Sequence, residues 1–228
     1  EMTSSLVGSE MCIRDSNRWL DVTKSTMLFS RGIILVEGIA EALVLPKLAE
    51  IVLQKYNQNR EEHLRLASTL DAMGVSVINI NGINFKYFMK LFGNFEGSSG
   101  PSIPIYCSGL TDRDPGKDIY PEKDKEVESK NPIVALQSEI DSNKWTRLFV
   151  SPLKTFEYDL ATYNPMLLAT VLKSVWPTQK GSVCIELDKI IARGNSYSDT
   201  SLLADDAKYI YEHIEDGCLL YTSDAADD

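Results

Sequence analysis

The sequence predicts an α/β fold built on a parallel β-sheet, because short apolar runs alternate with segments of helical periodicity. Four runs have the length and apolar character of strands, and the first of them is typical of a strand buried on both faces: 32–36, 75–80, 103–107 and 146–150. Further helical patterns fill the last third of the chain. We therefore expect a sheet of about four strands flanked by helices, with a helical appendage at the C-terminal end.

The first strand, at 32–36, reads Gly-Ile-Ile-Leu-Val and is expected at the centre of the sheet. A long helix is predicted over 39–56, where Ala, Leu and Val recur at helical spacing. Pro46 fits this helix only in its first turns or at a kink. A second helix is predicted over 63–73 and should end at Gly74, ahead of the second strand.

The middle of the chain predicts a short helix over 83–92 and then a Gly/Ser-rich loop at 93–100. The third strand leads into an acidic turn, and the polar stretch 116–131 after it predicts a mobile loop. A short helix at 132–140 should precede the fourth strand. The remaining helices are predicted at 166–175, 183–192 and 202–214.

The composition is that of a globular protein, since 43% hydrophobic content is enough to bury one sizeable core. No apolar run approaches the roughly 18 residues of a membrane span and no signal peptide opens the chain, so we expect a soluble, cytoplasmic protein without a membrane partner. Cys107 and Cys184 lack the spacing of a zinc site or a disulfide, which predicts two small core residues. No GxxxxGK[ST] phosphate loop is present, so the chain should not bind ATP by itself.

The two ends of the chain do not fit this fold. Residues 7–16 read Val-Gly-Ser-Glu-Met-Cys-Ile-Arg-Asp-Ser, as a translated sequencing adapter would, and 218–227 read as the same adapter in the opposite orientation. We therefore expect 1–16 and 218–228 to be adapter-derived tails. The natural segment would then be an internal fragment of a longer protein.

Two acidic clusters directly follow two of the predicted strands. Glu37 and Glu41 follow the first strand, and Asp112 and Asp114 follow the third. Because ligands bind beyond the carboxyl ends of parallel strands, we expect these four carboxylates to lie at one edge of the sheet. Carboxylate oxygens are the ligands that Mg²⁺ and Mn²⁺ prefer. The sequence therefore predicts a metal-dependent enzyme that acts on phosphates.

Each acidic cluster also has a purely structural interpretation. Glu41, four residues after Glu37, should lie one helical turn above it on the same face, but such a pair can also be first-turn acids favoured by the helix macrodipole. Asp112 and Asp114 point the same way if the backbone between them stays extended, yet Asp-x-Asp also occurs in ordinary acidic turns. Spacing alone leaves both interpretations open.

A third group of polar residues follows the fourth predicted strand. Glu157 could complete the carboxylate set, while Lys154 could neutralise developing charge on a phosphate oxygen. Alternatively, Thr155 or Ser151 could start a helix in which Glu157 is only a first-turn acid. The spacing of this segment by itself favours the capping arrangement.

Taken together, the segments 36–41, 110–114 and 154–157 resemble the Toprim domain, the catalytic fold shared by topoisomerases, primases and several nucleases. The run Leu-Phe-Ser-Arg-Gly at 28–32 and the run Lys-Thr-Phe-Glu-Tyr-Asp-Leu at 154–160 are similar to the OLD (overcoming lysogenization defect) family of ATP-dependent endonucleases. Members of that family pair an N-terminal ABC-type ATPase with a C-terminal Toprim nuclease.

The resemblance implies a DNA endonuclease that hydrolyses phosphodiester bonds with one or two Mg²⁺ or Mn²⁺ ions. It implies the following metal ligands: Glu37, Glu41, Asp112, Asp114 and Glu157. Glu37, as a ligand or as the general acid/base, and Lys154, as a cation, would be the catalytic residues, and Ser108 could lie nearby. The position after Thr155 is often leucine in such sequences and is Phe156 here, which should alter packing rather than chemistry.

The resemblance also implies a domain order: a linker from an ATPase domain at 17–30, the Toprim domain at 31–160 and the helical appendage at 161–217. The implied partners are DNA and the ATPase domain of the same parent chain. That ATPase domain would bind the ATP, and through it the protein could form a homo-oligomer.

Several side chains could contact DNA. Three lysines could hold the backbone: Lys86, Lys90 and Lys154. Four aromatic residues could stack on bases, although their helical spacing favours a core face: Phe85, Tyr87, Phe88 and Phe92.

Two alternatives to a nuclease remain open. The first is a topoisomerase- or primase-type Toprim domain; strand passage needs a nucleophilic tyrosine, for which Tyr106 and Tyr158 are poor candidates because they lie on or beside predicted core elements. The second is a non-catalytic regulatory or interaction domain, which the intact carboxylate set disfavours.

Overall fold

The computed structural model describes residues 26–80, 85–97, 100–176 and 181–223, with the side chains of Phe85 and of 215–223 left aside. The predicted N-terminal tail, most of the linker at 17–30, parts of the 83–92 helix and the 93–100 loop, and the last five residues lie outside the described residues. Two compact units are present. The sheet unit comprises the described residues up to Thr111 together with Ala135–Phe149, and the helical unit comprises Asp112–Val134 and the chain from Val150 onward.

The sheet unit contains the parallel sheet that the sequence predicts. Its strands lie in the order β2-β1-β3-β4, with these bounds: β1, Gly32–Val36; β2, Val75–Asn79; β3, Tyr106–Thr111; β4, Thr146–Val150. Strand β1 pairs in parallel with both β2 and β3, so that Gly32 lies opposite Val75 on one side and Tyr106 on the other. The predicted α/β class, the four-stranded parallel sheet and the central position of β1 are confirmed.

One face of this sheet forms the core of the unit. Alternate side chains along each strand point to the same face, and the buried set on this face includes Ile33, Leu35, Ile78, Cys107 and Leu148. Burial raises the pKa of the Cys107 thiol to about 12. Among its described residues, this unit has three α-helices: α1, Ile39–Gln58; α2, Phe85–Met89; α3, Gln137–Ser142. A 3₁₀ turn at Val134–Leu136 leads into α3, where the sequence predicts a short helix.

Helix α1 confirms the prediction over 39–56 and continues to Gln58. Pro46 lies inside it, and the helix runs on past the proline. The helix predicted over 63–73 is wrong, because the segment holds only two 3₁₀ turns, Glu62–Leu64 and Asp71–Met73. The Asn57 side chain accepts the N–H of Leu66 at 2.9 Å and donates to its C=O at 2.8 Å. Both main-chain groups of Leu66 are therefore used outside a helix. Gly74, with φ 74°, ends the second turn as predicted.

The third strand is displaced from its predicted position. The sequence predicts 103–107, whereas β3 spans Tyr106–Thr111. Pairing with β1 extends from Gly32 opposite Tyr106 to Val36 opposite Leu110, and Pro104 has no N–H to donate to a ladder. The shift carries the strand up to Thr111, so Asp112 follows it directly.

The helical unit contains the helices that the sequence predicts for the last third of the chain. Its helices are α4, Phe156–Tyr163; α5, Pro165–Val175; α6, Ser182–Arg193; and α7, Thr200–Ser223. They share one buried core, which includes Tyr158, Ala161, Leu172, Leu187 and Ile210. Cys184 and Cys107 are both buried, which confirms both as core residues.

The sequence predicts where the helical appendage begins and where the C-terminal tail begins. Helix α7 continues beyond Gly217 into the segment predicted as a tail, while the predicted boundary between 160 and 161 remains a prediction. Among the described residues, none of the helices combines the length and the apolar character that crossing a bilayer requires.

Candidate active site

Glu37 lies one residue beyond β1, in the sheet unit. Since Val36 lies opposite Leu110, the next residues of the two strands are Glu37 and Thr111, and the Thr111 hydroxyl donates a hydrogen bond to Oε1 of Glu37. Thr111 is buried and Glu37 is half-buried. The parallel register therefore gives the Glu37 carboxylate a fixed donor. Ser108 lies an odd number of residues before Thr111 on β3, so strand alternation places it on the other face.

Gly38 and Glu41 form the turn between β1 and α1. The helix begins at Ile39, so Glu37 precedes it and the predicted one-turn spacing of Glu37 and Glu41 on one helix face is wrong. Glu41 lies in the first turn, is buried, and folds back over the glycine: a Cβ at Gly38 would come within 2.5 Å of Glu41 Oε2. The absence of a side chain at Gly38 thus determines where the Glu41 carboxylate lies.

Asp112 belongs to the helical unit and is held by two donors. Its Oδ1 accepts the N–H of Phe156 at 2.9 Å and the hydroxyl of Ser151 at 3.2 Å. Phe156 is the first residue of α4, and the N–H groups of a first helical turn have no partner within the helix. The Asp112 carboxylate therefore gives the first N–H of α4 an acceptor, and this hydrogen bond in turn orients the carboxylate.

Asp114 departs from the extended geometry on which its predicted alignment with Asp112 depends. Its φ is 47°, in the left-handed region, and its side chain is exposed. The N–H groups of Arg113 and Asp114 both donate to the carbonyl of Lys154, at 2.9 and 3.3 Å. The Asp-Arg-Asp segment is thus a turn fixed by its main chain, and the two aspartates do not share an extended strand.

Lys154 is buried, with 5% of its surface exposed. Its Nζ donates to three main-chain carbonyls, those of Gly116, Lys117 and Ile119, at 2.7, 2.9 and 3.0 Å. The ammonium also lies 4.7 Å from the centroid of the Tyr120 ring. These contacts tie down the beginning of the polar stretch 116–131, for which the sequence predicts a mobile loop.

The segment from Thr155 to Glu157 adopts the capping arrangement that its spacing favours. Thr155 is the N-cap of α4, and its Oγ1 accepts the N–H of Tyr158 at 3.3 Å. Glu157 lies in the first turn and is half-buried. A first-turn position accounts for an acid here, and a role in metal binding remains a prediction.

Asp159 is a site residue that sequence reasoning missed. It is 8% exposed, and its carboxylate accepts the N–H groups of Leu153 and Lys154 at 3.2 and 3.1 Å. Burial raises the pKa of Asp159 to about 6, against the opposing effects of these two hydrogen bonds and of the Arg113 charge. The sequence does carry a weak signal for this role. Asp159 follows a short loop by a few residues, and the N–H groups of such a loop need hydrogen-bond acceptors. Asp159 therefore holds the main chain at Lys154, the residue whose carbonyl accepts the N–H groups of Arg113 and Asp114.

The predicted metal ligands supply the oxygen atoms that suit a hard divalent cation. Glu37 and Glu41 belong to the sheet unit, and Asp112, Asp114 and Glu157 belong to the helical unit. Across the described parts of the chain, no three His, Cys, Asp or Glu side chains form a group that could hold a metal ion. The donor chemistry fits Mg²⁺ or Mn²⁺, and the ligand assignments remain predictions.

The lysines that the sequence suggests for DNA are engaged within the protein. Lys86 and Lys90 both pair with Glu96, at 3.0 and 2.8 Å, which lowers the pKa of that carboxyl, and Lys154 is buried as described. Phe88 and Phe92 are buried in the core, as their spacing indicates, whereas Tyr87 is exposed.

The sheet unit thus has a parallel sheet, and acidic residues follow β1 and β3 directly. Residues 28–114 match the family model described as "Overcoming lysogenization defect protein-like, TOPRIM domain". This segment is therefore an OLD-like Toprim domain, which confirms the resemblance found in the sequence.

Two solved structures are similar to the chain. The C-terminal region of the Xanthomonas campestris pv. campestris OLD protein is 20% identical with a TM-score of 0.47, over 88% of this chain and 99% of that one. The C-terminal region of the Burkholderia pseudomallei OLD protein is 20% identical with a TM-score of 0.40, over 86% of this chain and 98% of that one. A search of curated protein sequences gives no match.

Proposed function

We propose that this chain is the nuclease part of an OLD-type protein and hydrolyses DNA phosphodiester bonds with Mg²⁺ or Mn²⁺. The observation that carries the proposal is the oriented carboxylate of Glu37, bonded by Thr111 at the end of β1 within the Toprim segment. A neutral hydrogen-bond donor of this kind orients a ligand carboxylate without adding a charge to the site. The alternative is a structural acid next to the N-terminus of α1, which the helix macrodipole would favour.

The proposed ligands are Glu37, Glu41, Asp112, Asp114 and Glu157. A bound divalent ion would activate a water molecule and stabilise the charge on the phosphate oxygens. Thr111 orients Glu37, while Ser151 and the first N–H of α4 orient Asp112. Glu37 serves as a ligand or as the general acid/base.

Lys154 enters this proposal with a changed role. Its three hydrogen bonds to carbonyls make it a positioning residue for the turn that carries Asp112 and Asp114, in place of a cation that contacts the phosphate. Asp159 supports the same turn through the Lys154 peptide. Both residues act on the reaction through the turn that they hold.

The proposal includes an N-terminal ABC-type ATPase domain in the parent protein, with ATP bound there and any homo-oligomer formed through that domain. DNA is the proposed substrate. A topoisomerase-type reaction through Tyr158 is disfavoured, because this residue is fully buried and its hydroxyl donates to the carbonyl of Pro121 at 2.9 Å.

The test is nicking of a supercoiled plasmid by the purified chain in Mn²⁺, in Mg²⁺ and in EDTA. We expect metal-dependent nicking by the wild type and a loss of at least about a hundredfold in Glu37→Gln and in Asp112→Asn. Glu50→Gln is the matched control, since Glu50 is an α1 glutamate paired with Lys47. A wild-type chain that leaves the plasmid intact, or a Glu37→Gln chain that nicks as fast as wild type, would contradict the proposal.

A further inference from the structure

The sheet unit has a second surface that the proposed reaction does not use. Along β4, Thr146 and Leu148 point into the core, so Arg147 and Phe149 face the opposite side, as does Trp145 directly before the strand. The N–H of Cys107 donates to the carbonyl of Trp145 at 2.8 Å, which places Tyr106 of β3 beside Trp145. Tyr106 and Phe149 each expose 59% of their surface. We call Tyr106, Trp145, Arg147 and Phe149, with Lys144, the aromatic face.

Two aromatic positions are separated along this face. The Tyr106 and Trp145 rings lie 5.0 Å apart between centroids and form one aromatic group. Phe149 is four residues further along β4 than Trp145, roughly 13 Å at the usual rise of a strand. This separation is large enough for the two positions to take different planar groups.

The charges around these rings are positive. The Lys144 ammonium lies 4.5 Å from the centroid of the Trp145 ring, and Arg147 is held beside the strand through its Nη1, which donates to the carbonyl of Asn143 at 2.6 Å. The two acids of the same segment are turned to backbone donors: Glu139 accepts the N–H of Glu96 and Asp141 accepts that of Leu148. The aromatic face therefore combines exposed rings with two cations.

We infer that the aromatic face binds single-stranded nucleic acid, with bases stacked on Tyr106 and Phe149 and phosphates attracted by Lys144 and Arg147. Exposed aromatic rings interleaved with cations are the usual means by which proteins bind unpaired strands, since every base has a face that can stack. In a duplex those base faces are covered by neighbouring base pairs, so the surface should prefer single strands. A protein partner would use the rings but would not need the two cations.

The test is fluorescence anisotropy with a labelled oligothymidylate of about 12 nucleotides, titrated with the full chain in EDTA at low salt. EDTA removes the metal that cleavage would need, so the result of this binding experiment does not depend on the nuclease proposal. We expect the double variant Tyr106→Ala/Phe149→Ala to raise Kd at least about tenfold, because each stacked base contributes about 1–3 kcal/mol. We expect Lys144→Ala to reduce the dependence of Kd on salt.

The matched control is Tyr56→Ala, which removes an exposed tyrosine on α1 with the Arg60 guanidinium 3.8 Å from its ring centroid. We expect this control to bind the oligonucleotide as the wild type does, and a duplex of the same length to bind more weakly. The inference is overturned if the wild type does not bind, if the double variant binds equally well, or if the duplex binds as tightly. It is also overturned if the double substitution only converts a dimer to a monomer in light scattering, since the face would then be a protein interface.

Discussion

Glu37 and Asp112 each follow a strand directly, yet the two carboxylates are held in different ways. Glu37 has a side-chain donor, the hydroxyl of Thr111 on the neighbouring strand. Asp112 belongs to a turn whose main chain is fixed by the Lys154 carbonyl and by the Asn131 side chain. Its carboxylate accepts the first N–H of α4 and the hydroxyl of Ser151. Changes around Glu37 should therefore affect metal binding alone, whereas changes around Asp112 should also affect folding.

The largest effect is expected from Lys154→Met, which keeps the length of the side chain and removes its charge. Three main-chain carbonyls lose a charged donor, and a hydrogen bond to a charged group contributes about 1.5–3 kcal/mol. We expect the free energy of unfolding in urea to fall by at least about 3 kcal/mol. Lys47→Met, in an exposed pair with Glu50, should change it by less than about 1 kcal/mol. Equal midpoints for wild type and Lys154→Met would show that this turn does not depend on the lysine.

The next largest effect is expected from substitution of Thr111, which tests whether its hydroxyl orients the Glu37 carboxylate. Thr111→Val keeps the shape and removes the hydroxyl, so we expect Mn²⁺ affinity, measured by calorimetry, to fall about 10- to 100-fold. Thr111→Ser keeps the hydroxyl and should bind Mn²⁺ nearly as the wild type does. If the valine and serine variants bind Mn²⁺ equally, Thr111 does not orient Glu37.

A smaller effect is expected from pH at Asp159, whose pKa is raised to about 6 by burial. Between pH 4 and 6 the folded chain keeps a proton that the unfolded chain has lost, so folding is favoured at low pH and stability falls as pH rises through this window. Relative to Asp159→Asn, the wild type should lose about 1–2 kcal/mol of unfolding free energy between pH 4 and pH 7. Parallel curves for the two proteins in urea unfolding at several pH values would contradict this assignment.

The smallest effect on folding, with a clear effect on binding, is expected from Gly38→Ala. The backbone at Gly38, φ −122° and ψ 168°, suits any residue, so the free energy of unfolding should change by less than about 0.5 kcal/mol. The new Cβ would displace the Glu41 carboxylate, and Mn²⁺ affinity should fall several-fold. Unchanged Mn²⁺ affinity in a folded Gly38→Ala protein would remove Glu41 from the proposed ligand set.

Much of the fold could be predicted from local pattern. The apolar runs of β1, β2 and β4 and the periodicity of α1, α5 and α6 identify these elements, because their side chains are selected by burial on one face or both. The position of β3 could not be predicted, since its register is decided by its partner β1. The missing helix over 63–73 has the same kind of cause, a hydrogen-bonded pair between Asn57 and Leu66.

By itself the sequence determined the α/β class, the order of strands and helices, the Toprim resemblance and the acids after β1 and β3. These follow from residues close together in the chain. Only the tertiary structure decided that the Thr111 hydroxyl bonds Glu37, that the Lys154 ammonium donates hydrogen bonds to the loop after Asp114 and that Asp159 is buried with a raised pKa. Hydrogen bonds between residues far apart in sequence have no local sequence signature, and neither has the burial of one residue by distant ones. Both depend on how the strands pair and how the loops close.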